Sequence, residues 1–190
     1  MRRMARLGMV FFGILLVCSG PAKSGLAAGD FSKVDEILGA RGQMQEGAWV
    51  VRFPRGDLKV SLNGEPVPAA LGFGGWAAFK DLGKHTMVMG DLALLEKEVN
   101  PAISALEDNG LEVTALHNHF FYEEPRIMFM HFGGLGPKEQ LAKGLRQALD
   151  KTATPKAPAV AAPAPTTSPL NINVLEKIVG HPGQLTGTGF

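Results

Sequence analysis

"HTMVMGDLALLEKEVNPAISALEDNGLEVTALHNHFFYEEPRIMFMHF", residues 85–132, decides the fold, because its apolar pattern changes period along its length. "HTMVMGDLALL" is an apolar strand, whereas "EKEVNPAISALEDNG" puts Val99, Ala102, Ile103 and Leu106 on one helical face, with Gly110 as the stop. Asn100 is expected to cap that helix, leaving Pro101 at its first position, where the missing N–H would have had no partner anyway. "LEVTALHNHFF" and "RIMFMHF" then read as two strands joined by "YEEP". Beyond them, "PKEQLAKGLRQALDK" aligns Leu141, Leu145, Ala148 and Leu149 on one face of a second helix. Strand, helix, strand, strand, helix predicts an α+β fold: an antiparallel sheet with two main helices on one face, in a split βαβ or ferredoxin-like layout.

Upstream, Phe31 to Leu38 is a short helix stopped by Gly39. "GAWVVRFP" and "LKVSLNG" are two strands around the turn "PRGD", and "NGEP" closes the second. "LGFGGWAAF" lacks the glycine spacing and following helix of a phosphate-binding loop, so its glycines mark a bulge or a close backbone approach. The globular part is residues 30–150, one domain of ordinary size.

The ends have a different character. Residues 1–27 run from Arg2, Arg3 and Arg6 through an apolar stretch, Leu7 to Cys18, to small residues at Gly25 and Ala27, the layout of a secretory signal peptide. An exported chain, periplasmic or extracellular, is therefore expected, and that apolar stretch is shorter than the roughly 20 residues of a membrane span. The alternative is a lipoprotein anchored through Cys18, although Val17 stands where a small residue usually precedes a lipidated cysteine. Cys18 is the only cysteine, so cleavage after Ala27 leaves no disulfide, thiol nucleophile or thiolate ligand. Nineteen Lys+Arg against 18 Asp+Glu, with several of the positive charges in the leader, give a mature chain of net negative charge and argue against nucleic acid.

After Lys151, residues 152–169 form a Pro/Ala-rich linker with no apolar periodicity. "LEKIVGHPGQLTGTGF" (175–190) then aligns without a gap with "VDEILGARGQMQEGAW" (34–49). Ile37/Ile178, Gly39/Gly180, Gly42/Gly183 and Gln43/Gln184 are identical, and Asp35/Glu176 and Trp49/Phe190 are conservative pairs. Residues 170–190 read as the truncated start of a second copy of the domain; the competing reading is a helical tail packed on the first.

"GDLALLEKEVNP" and "EVTALHNHFFYEEPRIMFMH" resemble the LppY/LpqO family of exported bacterial proteins, and the likeness extends over residues 31–150. The resemblance implies an exported chain, usually with two copies of a domain of unknown function. It implies no catalytic roles. A second copy of the domain or another envelope protein is the expected partner.

Three of the five histidines lie between residues 117 and 131. His117 and His119, two apart on a strand, leave the same face and can converge on one ion. His131 on the returning strand joins them if the register places it there; a one-residue slip sends it to the other face. Glu124 is the candidate fourth ligand to a divalent transition metal, and His85 lies on another strand. Asn118, Glu123 and Arg126 are candidate contacts to a small polar ligand, Arg126 also being able to pair with Glu123 or Glu124. A hydrolase-like alternative uses His117 or His119 as base beside Glu124, with Asn118 as donor. Asp91, Glu96 and Glu98 lack the spacing of a calcium loop and suit a helix start. The competing reading of the cluster is hydrogen-bonded histidines on an interaction surface.

Overall fold

The computed structural model describes residues 29–68, 71–156 and 171–183; the leader and most of the linker lie outside them. The chain is α+β. Six antiparallel strands run in the order β1 (Gln43–Gln45), β2 (Ala48–Pro54), β5 (Gly74–Asp81), β6 (Thr86–Leu95), β9 (Ile127–Gly136) and β7 (Glu112–His117). A second sheet orders β4 (Glu65–Val67), β3 (Val60–Leu62) and β8 (Glu123–Glu124).

Helix α1 (Ser32–Leu38), α2 (Glu96–Glu107) and α3 (Lys138–Leu149) share one core with alternate residues of the large sheet. Val34 and Leu38, Ala102 and Leu106, and Leu141 and Leu145 meet Val51, Phe79, Leu92, Leu94, Met130 and Phe132, all essentially excluded from water. This burial is the main driving force, about 25 cal/mol for each Å² of apolar surface removed from water. The intervening residues of the same strands, Asp91, Ala93, Phe129 and His131, point to the opposite face. The small sheet covers one end of that face through Leu58, Val60, Phe73, Ala93, Ile127 and Phe129, leaving the remainder open.

β6, α2 and β7 form a crossover in which β9 fills the gap between the two strands, antiparallel to both. The strand that a ferredoxin-like layout adds after its second helix does not occur among the described residues, and β5 takes that side of β6. Close approach explains the glycine run: a Cβ on Gly75 would stand 2.8 Å from the Asp91 carbonyl oxygen, so β5 tolerates no side chain there.

Several expectations are corrected. β2 and β3 are not two strands of one hairpin about "PRGD" but belong to different sheets, because Arg55 turns inward between them. Only 1% exposed, it donates to Glu98 Oε2 at 2.9 Å, to Asp57 Oδ1 and Oδ2 at 2.9 Å each, and to the Ala93 carbonyl at 2.6 Å. Burial opposes its charge, but the bonds to Asp57 and Glu98 outweigh this and hold the guanidinium above its usual value. α2 begins at Glu96, so Pro101 sits in its second turn. What starts the helix is Glu98, which accepts the Leu95 N–H at 2.8 Å, the glutamate half of a capping box whose N-cap leucine returns no side-chain bond. Glu98 Oε1 also accepts the Ala153 N–H at 2.8 Å, and Thr154 is buried, so the first residues of the expected linker pack on the domain. Within "YEEP", Glu123 and Glu124 form β8 against β3, and the "NG" of "NGEP", with φ of 50° and 86°, turns β3 into β4.

Helix α4 (Ile172–Val179) repeats the local geometry of α1. Both end on a left-handed glycine, Gly39 and Gly180, and in both an acid reaches the N–H seven residues on: Asp35 to Gly42 at 3.0 Å, Glu176 to Gly183 at 2.9 Å. Val34 and Leu38 of α1 are buried, whereas α4 has no buried residue. Residues 184–190, including Phe190, lie outside the described residues. No helix among the described residues is long and apolar enough to cross a membrane.

Removing one member of a buried ion pair strands the other, at a cost of about 3–5 kcal/mol. Glu98→Ala is therefore expected to lower unfolding stability by that amount in urea titrations, and Arg55→Met with Glu98→Leu to recover most of it. A loss under about 1 kcal/mol for Glu98→Ala would show that the pair does not tie the sheets to α2.

Candidate functional site

The open face of the large sheet meets the edge of the small sheet at the histidines. Antiparallel pairing sets Trp76 on β5, Asp91 on β6, His131 on β9 and Ala115 on β7 in one row across the sheet. Cross-strand partners share a face, so Asp91 and His131 stand side by side.

His117 reaches that face through an irregularity. β7 pairs Glu112 with Gly133 and Val113 with Phe132, and then skips Thr114, so that Ala115 opposes His131 and His117 opposes Phe129. Without the extra residue His117 would oppose Met128 and point into the helix-covered core. A bulge re-aims every later side chain of its strand in this way. His119 lies past the end of β7, in a bend that Asn118 closes by donating to the Phe120 carbonyl at 2.7 Å. The expectation that His117 and His119 share a strand is thus corrected, yet the three rings gather. The centroid of His117 is 5.0 Å from that of His131 and 5.2 Å from that of His119, and His119 lies flat on Phe129 at 3.4 Å.

Two carboxylates flank the rings. Asp91 is 8% exposed, and its Oδ1 is buried with no hydrogen-bond partner. Burial pushes its carboxyl above the ordinary value, against the pull of His131, His119 and His117. His119 is driven the other way, below its ordinary value, by burial first and by His117 second, with Asp91 and Glu123 opposing. Glu123 is 6% exposed; its Oε1 accepts the Ile127 N–H at 3.3 Å, and its Oε2 is a second buried oxygen without a partner.

Glu124, the sequence-derived candidate ligand, is exposed, and as the neighbour of Glu123 on a strand it points to the opposite side of β8. It lines a shallow pocket of about 360 Å³ with Ser61, Asn63, Tyr122, Glu123 and Arg126. Among the described residues Arg126 makes no ion pair with either glutamate. His85 is exposed in the turn between β5 and β6, six residues before Asp91, and stays apart from the cluster. Glu98 is committed to Arg55, and Glu96 is exposed at the start of α2. The hydrolase-like constellation of histidine, Glu124 and Asn118 is therefore not assembled. Among the described residues no three His, Asp or Glu side chains stand, as they are, in a geometry that encloses an ion.

Sequence reasoning undervalued Asp91. The available signal was a lone acid within "MVMGDLALL", a strand otherwise apolar on both faces, where a carboxylate needs a partner.

The sequence model of the family described as Domain of Unknown Function (DUF1259) matches residues 32–151, well over half of the chain. The chain belongs to that family. The matched region runs from α1 to just past α3 and so contains the whole cluster. No curated protein and no solved structure matches the chain.

Asp91 has a raised native pKa, so its charge destabilises the fold, and stability is lost as pH rises from about 3.8 through the native value. Asp91→Asn is accordingly expected to raise the melting temperature of the chain in chelator near pH 8. A lowered melting temperature would mean that the carboxylate is already satisfied.

Proposed function

We propose that this DUF1259-family chain is an exported binding module that holds a small polar ligand or a divalent transition metal at the His117, His119 and His131 cluster. The gathering of three imidazoles at a half-open junction of two sheets supports this reading, because neutral imidazole is a versatile donor to ions and to polar groups alike. The signal-peptide layout of residues 1–27 and the resemblance to LppY/LpqO proteins support export, with an anchor at Cys18 as the membrane-attached variant. The recurrence of the α1 geometry in α4 supports the opening of a second domain copy at residues 170–190, which makes another copy the first candidate partner.

A second reading, an interaction protein of the envelope that binds no ligand, is favoured by one observation. Met87 and Leu135, a cross-strand pair, and Met89 beside them are 45%, 60% and 55% exposed on the open face. Such a patch on a sheet suits a protein partner.

Melting of the full chain with added Zn²⁺, Cu²⁺ or Ni²⁺ separates the two, since a ligand that binds only the native state raises its stability. The binding reading predicts an upward shift that disappears in the His117→Ala/His119→Ala double variant. An unchanged melting temperature with all three ions removes the metal form of the binding reading and favours the interaction reading over it.

A further inference from the structure

We infer that Asp91 and Glu123 complete the histidine cluster as a site for a single divalent first-row transition ion, with His117, His119 and His131 as nitrogen donors and the two carboxylates as oxygen donors. This deepens the binding reading and rests on it. It commits the site to an ion and assigns it two ligands, one from each sheet.

Unsatisfied oxygens carry the argument. The four buried side-chain nitrogen or oxygen atoms without a hydrogen bond among the described residues are Asp91 Oδ1, Glu123 Oε2 and, on the helix side, Nε and Nη2 of Arg146, the latter ion-paired with Asp150 at 3.1 Å. Asp91 is the cross-strand partner of His131, and Glu123 is near enough to His119 for its charge to act on that ring. A buried carboxylate oxygen without a donor or counter-charge is expensive, and one such atom would be an oddity. Two around one group of imidazoles have a common remedy in a cation placed between them. An uncharged organic ligand would neutralise neither.

The donors are neighbours that do not enclose an ion as they stand, so binding requires the rings to turn. Asp91 is fixed on the sheet floor opposite His131, in the ten-residue pairing of β6 with β9. Glu123 approaches from the other sheet, its carboxylate anchored through Oε1 to the Ile127 N–H while Oε2 is left over. One oxygen held and one free is how a ligating carboxylate is oriented by its outer shell. The imidazoles are the adjustable part. His119 is exposed in a bend outside the strands, so swinging its ring off Phe129 disturbs no ladder hydrogen bond.

The donor set defines the ion. Imidazoles with carboxylates suit Zn²⁺, Mn²⁺, Fe²⁺, Ni²⁺ or Cu²⁺. The lack of sulfur among them disfavours Cu⁺, and the three nitrogens disfavour Ca²⁺ and Mg²⁺, which take oxygen.

Calorimetric titration of the full chain with Zn²⁺ and with Mn²⁺ tests the assignment, using Asp91→Asn, Glu123→Gln and Glu124→Gln. One ion per chain is expected. The first two substitutions should each weaken binding by more than roughly tenfold, since even outer-shell partners of a metal matter on that scale. Glu124→Gln, on the far side of β8, should leave affinity within about twofold, below a 1 kcal/mol effect. Melting in chelator establishes that each variant is folded, so that a loss of binding is not read from a misfolded protein. If the parent chain binds an ion but Asp91→Asn and Glu123→Gln bind it equally well, the carboxylate assignment fails and the binding reading stands. If Glu124→Gln weakens binding as much as Glu123→Gln, the ligand has been taken from the wrong side of β8 and the inference is overturned. If the parent chain binds neither ion, the inference and the metal form of the binding reading fail together.

Discussion

The antiparallel register between β6 and β9, from Thr86 opposite Gly136 to Leu95 opposite Ile127, assigns every side chain at the centre of the sheet to a face. With this alignment Leu92, Leu94, Met130 and Phe132 go to the helices and Asp91, Ala93, Phe129 and His131 to the other side. A slip of one residue in either strand would exchange that strand's two sets, burying Asp91 or His131 beneath the helices and exposing two large apolar side chains. The penalty for that exchange makes the register unique. The same apolar burial that drives folding therefore puts Asp91 beside His131 as a by-product.

Two local devices add the rest of the cluster. The bulge at Thr114 turns His117 onto the His131 face, and the bend closed by Asn118 returns His119 over Phe129. The Arg55 network acts at longer range, joining the end of β2, the β6 carbonyl at Ala93, the start of α2 and the backbone of Ala153 through one buried guanidinium and one buried carboxylate. It lets the chain leave the large sheet after Pro54 and build the small sheet that brings Glu123 to the histidines. The site is thus assembled from a rigid floor, a second sheet held by an internal ion pair, and one ring on a bend.

Helical periodicity made α1 and α3 legible in the sequence, and the apolar runs gave the strands that became β2, β6, β7 and β9. The inward residues Leu141, Leu145, Ala148 and Leu149 are buried as their spacing requires. Pairing was harder to read. Nothing in "PRGD" signals that its arginine points inward, because the buried partner it meets there, Glu98, lies 43 residues away. "VTALH" contains no Gly or Pro to announce a bulge, so the face of His117 depends on a tertiary irregularity without a local mark. Glu123 and Glu124 are chemically equivalent in the sequence, and only the pairing of β8 with β3 decides which of them turns toward the histidines. The histidines were found by their density, while Asp91 was obscured by the helix-start acids that follow it.

Histidine-selective ¹⁵N–¹H spectra of the chain, recorded without metal and then with one equivalent of Zn²⁺, address the central claim most directly, because ligation fixes the tautomer of each imidazole that takes part. The account predicts that His117, His119 and His131 change together while His85 and His181 keep their signals. Unchanged signals from all five, or a change confined to His85 or His181, would contradict it.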